Sequence, residues 1–124
     1  MASINNLIQA IVDNEEEFAN EWVSFSAIFG IDTKGRPESS NGYLYTHDDY
    51  IAIAPDFFAF EDDVAAYLKD IYGNDKLPIK MLVQFDRLSG RYKTEFEDKD
   101  DSRWRVRPAD INGYIEELRP KFDQ

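Results

Sequence analysis

Apolar residues open the chain at helical spacing, with Ile4, Leu7, Ile8, Ile11, Val12 and Phe18 forming one stripe. That rhythm predicts an amphipathic helix, and Ser3 is suited to cap its start. From Trp22 the period shortens to two. Val23, Phe25, Ala27 and Phe29 share one face of a predicted strand, with Ser24 and Ser26 on the other. Residues 32–42 hold Gly35, Pro37, Ser39, Ser40 and Gly42 and read as a loop.

Residues 43–46 and 50–54 are short strand candidates around the acidic turn His47-Asp48-Asp49. Asp56 is placed to cap a second helix whose inward stripe would be Phe57, Phe60, Val64, Leu68 and Ile71, with Gly73 and Asn74 as its stop. Ile79, Met81, Val83 and Phe85 then alternate, and the turn Arg87-Leu88-Ser89-Gly90 leads into a return strand through Tyr92, Thr94 and Phe96. A charged bend over 97–101 precedes a last short strand through Trp104 and Val106. Pro108 suits the first turn of a closing helix with Ile111, Ile115 and Leu118 inward.

Consecutive strands joined by short turns favour antiparallel pairing. The expectation is therefore a single α+β domain over 1–124: an antiparallel sheet of about five strands with an N-terminal, a central and a C-terminal helix packed on it. At 124 residues with 43% hydrophobic side chains, the chain has material for a substantial core. Both Trp22 and Trp104 are expected inside it.

With no cysteine, disulfides and thiolate metal sites are excluded. The first residues carry no basic stretch ahead of their apolar positions, so no signal peptide is expected, and no apolar run is long enough for a membrane span. A cytoplasmic location follows by elimination.

The net charge of −11 is unevenly spread. Residues 1–75 hold 15 acids against only Lys34, Arg36 and Lys69, while 76–124 are nearly balanced, with 10 acids and 11 bases. Such a field repels nucleic acid and anionic membranes and attracts a basic protein. Its plainer meaning is solubility alone.

Catalytic raw material is thin. His47 is the one histidine, no serine sits in a Gly-x-Ser-x-Gly elbow, and no glycine-rich phosphate loop is present. His47-Asp48-Asp49 offers hard metal ligands, but adjacent residues point apart, and a solvated turn is the simpler reading. Asp86 followed by Glu97-Asp98-Lys99 resembles the acid plus Glu-x-Lys set of a magnesium-dependent nuclease. No cofactor is expected, and the chain reads as a binding protein, not an enzyme.

Acids and aromatics supply the candidate surface. Asp48 and Asp49 lie among Tyr43, Tyr45 and Tyr50. Asp56, Glu61, Asp62 and Asp63 gather at the start of the second helix, where they also complement its dipole. Glu95, Glu97, Asp98, Asp100 and Asp101 form the densest run, which a solvated bend would equally explain. Phe57, Phe58 and Phe60 cannot all face one side of a helix, which leaves Phe58 as a surface candidate.

The segments EWVSFSAIF, GYLYTHDDY and MLVQFDRLSGRYKTEFEDKDDSRW, within residues 15–106, resemble the YezG-like immunity proteins. These are antitoxins of bacterial polymorphic and contact-dependent growth inhibition toxin systems. The resemblance implies a small, acidic, cytoplasmic toxin inhibitor that neutralises a cognate toxin domain, in the first instance a basic nuclease. An acidic face would occlude the toxin's cleft while aromatics fill its apolar parts, and charge would speed encounter. The family supplies no inhibitory motif to carry over, so the partner-binding residues are chosen by surface chemistry. They are Tyr45, Asp48, Asp49, Tyr50, Asp56, Phe58, Glu61, Asp62, Glu97, Asp98, Asp100 and Asp101. The competing readings are an acidic adaptor or regulatory protein-binding module and, behind it, the magnesium-dependent nuclease.

Overall fold

A computed structural model describes residues 3–19, 21–47, 49–56, 59, 61–73, 75–100, 104, 115–116 and 118–120. The order of elements is helix α1 (Ser3–Asn14), a 3-10 turn (Glu16–Ala19), strands β1 (Ser24–Ile31), β2 (Pro37–Tyr45) and β3 (Tyr50–Ile53), helix α2 (Glu61–Tyr72), and strands β4 (Lys80–Asp86) and β5 (Tyr92–Glu97). The strands form one five-stranded sheet in the order β3-β2-β1-β4-β5, and every neighbouring pair is antiparallel.

β1 is the centre of the sheet, and all eight of its residues are buried. Its odd-numbered side chains Phe25, Ala27 and Phe29 meet α1 and α2 in the main core, joined by Met81 and Val83 of β4. α1 contributes Ile4, Leu7, Ile8 and Ile11, the stripe that its spacing predicts. The helix ends at Asn14, so Phe18 enters the core from the 3-10 turn. There its ring stands edge-on to Trp22 and Phe25, with centroids 5.1 and 5.4 Å away.

α2 differs from its expected stripe. Val64, Tyr67 and Leu68 are its buried residues, at i, i+3 and i+4, while Ile71 is 52% exposed. Tyr67 replaces Ile71 because its ring stacks on Phe96 and its hydroxyl shares a 2.8 Å hydrogen bond with Thr94, both on β5. The helix begins at Glu61, five residues beyond the expected cap at Asp56. It stops where Gly73 takes φ +58 and its N–H returns to the Lys69 carbonyl at 2.8 Å. Phe57, Phe60 and Asn74 lie outside the described residues.

The expected loop over 32–42 is corrected. Its second half is strand, with Ser39, Ser40 and Asn41 paired to Gly30, Phe29 and Ile28 of β1. Composition misleads here because pairing with a buried central strand overrides the weak strand preference of serine, asparagine and glycine. Gly42 has a positive reason to be there. A Cβ at this position would collide with the Ser26 carbonyl oxygen and come within 2.9 Å of Ala27 Cα.

A second, smaller core covers the opposite face of the sheet, from Ile28, Tyr43, Tyr45, Leu82, Trp104, Ile115 and Leu118. Trp22 and Trp104 are both buried as expected, at 8% and 6% exposure. The strand expected at Trp104 is corrected, since this residue lies in a turn with φ +63, a left-handed conformation unusual for a bulky side chain. Ile115 and Leu118 are buried as expected. Val106, Pro108 and Ile111, on which the closing strand and helix also rest, lie outside the described residues.

Candidate functional site

The β2–β3 turn is built by its own side chains. Thr46 N–H donates to the Asp49 carbonyl at 2.9 Å, Asp49 N–H donates to Thr46 Oγ1 at 3.0 Å, and Tyr50 N–H donates to Asp49 Oδ1 at 2.8 Å. These bonds hold Asp49 exposed, and it enters no ion pair among the described residues. Beside it Tyr50 is 37% exposed and stands edge-on to Tyr43 at 5.8 Å. A fixed carboxylate next to a half-open tyrosine is a small, preorganised contact for a basic or hydrogen-bonding partner.

Tyr45, expected at this surface, is corrected. It is fully buried, its hydroxyl donates to the Ile115 carbonyl at 2.7 Å, and Arg119 covers its ring. Even-numbered side chains of β1 and their partners Tyr43 and Tyr45 face the second core, so alternation alone draws this tyrosine inward. Asp48 and Phe58 lie outside the described residues.

The other candidates fall elsewhere. Asp56 is exposed past the end of β3, its N–H donating to Glu15 Oε2 at 3.0 Å. The preceding Pro55 accepts a hydrogen bond from Ser40 Oγ, which sets this stretch five residues down β2 from Tyr45, about 17 Å from the turn at strand rise. Glu61 is half-buried at the start of α2, 3.8 Å from Arg36, which also reaches Asp32 at 3.6 Å; Asp62 is exposed. The Arg36 backbone N–H lowers the Asp32 carboxyl pKa; desolvation opposes it, and the Lys34 N–H and the two positive side chains add to the lowering.

Glu97 pairs with Lys80 at the far end and far edge of the sheet, and its Oε2 accepts the N–H groups of Lys99 and Asp100 at 3.1 Å each. Asp98 and Asp100 are exposed there, and Asp101 lies outside the described residues. Asp49 and the Glu97–Asp100 bend therefore occupy opposite corners of the sheet, and one flat partner face does not span both.

The nuclease-like set does not assemble. Asp86 lies six residues along β4 from Lys80, the partner of Glu97, which separates the two carboxylates by about 20 Å. Magnesium held between them would need ligands near 2 Å. Among the described residues, no group of three or more acids or histidines is placed to hold a metal ion.

Sequence reasoning missed a concavity of about 480 Å³ on the second face, where Gly30, Ser39, Asn41 and Ala52 leave room between Tyr43 and Trp104. The alternation Ser39, Asn41, Tyr43 is the available signal, obscured by the loop-like composition of residues 32–42.

In comparison with known proteins, the chain matches no family model and no curated protein. Among the described residues, no helix is long and apolar enough to cross a membrane.

Proposed function

We propose that this chain is an immunity protein of the YezG-like kind, acting in the cytoplasm by binding and neutralising a cognate toxin domain. Its target in this reading is a basic nuclease whose cleft is occluded by an acidic face, with no catalysis by the chain itself. We also infer that Ile115 belongs to a C-terminal helix that begins near Pro108. The observation that carries the functional reading is the β2–β3 turn, where an exposed Asp49 carboxylate sits beside Tyr50 on a hydrogen-bonded scaffold. The acidity of the first 75 residues supports it, since charge there has few bases to cancel it.

The test is neutralisation in cells. The product of the gene immediately upstream is expressed with this protein or with charge-reversed variants. Wild type should restore growth, and Asp48→Lys with Asp49→Lys should lose protection while remaining folded. Asp98→Lys with Asp100→Lys, at the opposite corner, should protect nearly as well as wild type. If both double variants protect fully, the electrostatic occlusion model is wrong. Absence of any protected partner would leave the adaptor reading in its place.

A further inference from the structure

Among the described residues β5 is an outer strand of the sheet, hydrogen-bonded on one side only, to β4. At its two ends the Asp86 N–H donates to the Arg91 carbonyl at 2.9 Å and the Ile79 N–H to the Glu97 carbonyl at 2.8 Å. Odd-numbered residues of this strand thus turn their backbone toward β4. By alternation, the N–H and C=O groups of Tyr92, Thr94 and Phe96 point away from the sheet. Tyr92 is 47% exposed, and the Lys93 side chain is 57% exposed. Such an edge is a template for another strand.

The order of charges along it is specific. Residues 91–97 read Arg-Tyr-Lys-Thr-Glu-Phe-Glu, which is antisymmetric in charge and symmetric in aromatics about Thr94. Laid antiparallel on its own copy with Thr94 opposite Thr94, the strand sets Lys93 against Glu95 and Arg91 against Glu97, each twice. Tyr92 then faces Phe96, also twice. Opposite charges and aromatic pairs directly across from each other both favour pairing.

This register also satisfies the backbone. It brings the outward groups of Tyr92, Thr94 and Phe96 onto the same three residues of the second copy. Moving the axis one residue either way keeps that match but sets Lys93 against Lys93, or Glu95 against Glu95. Like charges there disfavour both alternatives. Within one chain Lys93 and Glu95 already lie 3.7 Å apart on the same face, so the four central charges would alternate in sign. Residues 91–97 hold two bases and two acids, which leaves the contact neutral in a chain of net charge −11.

We propose that two copies of this chain pair β5 with β5 about a two-fold axis through Thr94, joining their sheets edge to edge. The Asp49 turn borders β3, at the opposite edge, and stays outside this contact.

Sedimentation equilibrium of the full chain tests this. Wild type should dimerise with a Kd on the order of 10 µM, as suits a small contact. Lys93→Glu alone and Glu95→Lys alone should each weaken self-association about tenfold or more, since each sets like charges across the axis. An equimolar mixture of the two should form a heterodimer, because every cross-strand pair is again of opposite sign. Should Glu95→Lys fail to fold, the double variant carrying both changes replaces the mixture and should dimerise like wild type. Tyr92→Pro, which removes one outward N–H at the first position of the strand, should give a folded monomer. A monomeric wild type at about 500 µM overturns the proposal, being far above that Kd. So does a dimer that persists in both Lys93→Glu and Tyr92→Pro, or a charge exchange that fails to restore association.

Discussion

The guanidinium carbon of Arg119 stands 4.5 Å from the centroid of the Tyr45 ring, and the hydroxyl of that tyrosine donates to the Ile115 carbonyl. Burial raises the Tyr45 pKa far above the ordinary tyrosine value, outweighing the opposing pull of Arg119. The folded state therefore keeps a proton that the unfolded chain gives up near pH 10. This contribution to stability is complete below about pH 10 and is lost as pH rises from there toward the folded value. Tyr45→Phe should cost about 1–2 kcal/mol at neutral pH, by leaving a buried carbonyl without its donor. Above pH 10 its stability should fall less steeply than that of wild type. Tyr43, Tyr67 and Tyr72 are also raised by burial, so some slope will persist. Urea unfolding across pH 8–12 checks this, and parallel slopes for the two proteins would remove Tyr45 from the account.

Two glycines of the sheet should respond very differently to alanine. At Gly42 the new methyl meets the backbone of Ser26 and Ala27, which cannot step aside without breaking the β1–β2 ladder. At Gly30 the obstacle is the Ser39 hydroxyl, which rotates away. Gly42→Ala should cost about 3 kcal/mol or more, and Gly30→Ala about 1 kcal/mol. Equal melting temperatures for the two variants would contradict this difference in packing.

Trp104→Ala should lose roughly 3–5 kcal/mol, the usual range for a large aromatic removed from a core. Trp104 is 6% exposed within the second core, and its left-handed backbone is held there by packing. An unchanged melting temperature would show that the second core contributes little to global stability.

Purified protein should leave DNA and RNA intact with magnesium or manganese present. The reason is geometric, since Asp86 and Glu97 lie at opposite ends of the β4–β5 hairpin. Metal-dependent cleavage that disappears in Glu97→Gln would reverse this conclusion.

Much of the fold is legible in the residue pattern because most elements bury one face only. The stripe of α1 and the alternation Met81, Val83, Phe85 each turn one period toward the main core, and both appear where expected, although β4 also buries Leu82 and Gln84 on its other side. Legibility fails where tertiary pairing decides. Pro37, Ser39, Ser40 and Gly42 look like a loop until β1 supplies a partner, and Tyr67 displaces Ile71 only because Thr94 and Phe96 lie across from it. The acidic clusters are visible as charge, but charge has no coordinates. Only the strand register sets Asp49 and Glu97 at opposite corners, and only burial removes Tyr45 from the surface.

The strand order also dictates how the chain must assemble. β1, β2 and β3 form a meander closed by short turns, and β4 and β5 form a hairpin of their own. Between these halves runs a single seam, where Ser24 meets Asp86 and Gly30 meets Lys80, partners separated by 50 residues or more along the chain. The local units win their contacts early, whereas the seam must first overcome the entropy of closing a long loop that includes α2. The slow part of folding is therefore expected at this seam, whose middle is Ala27 facing Val83.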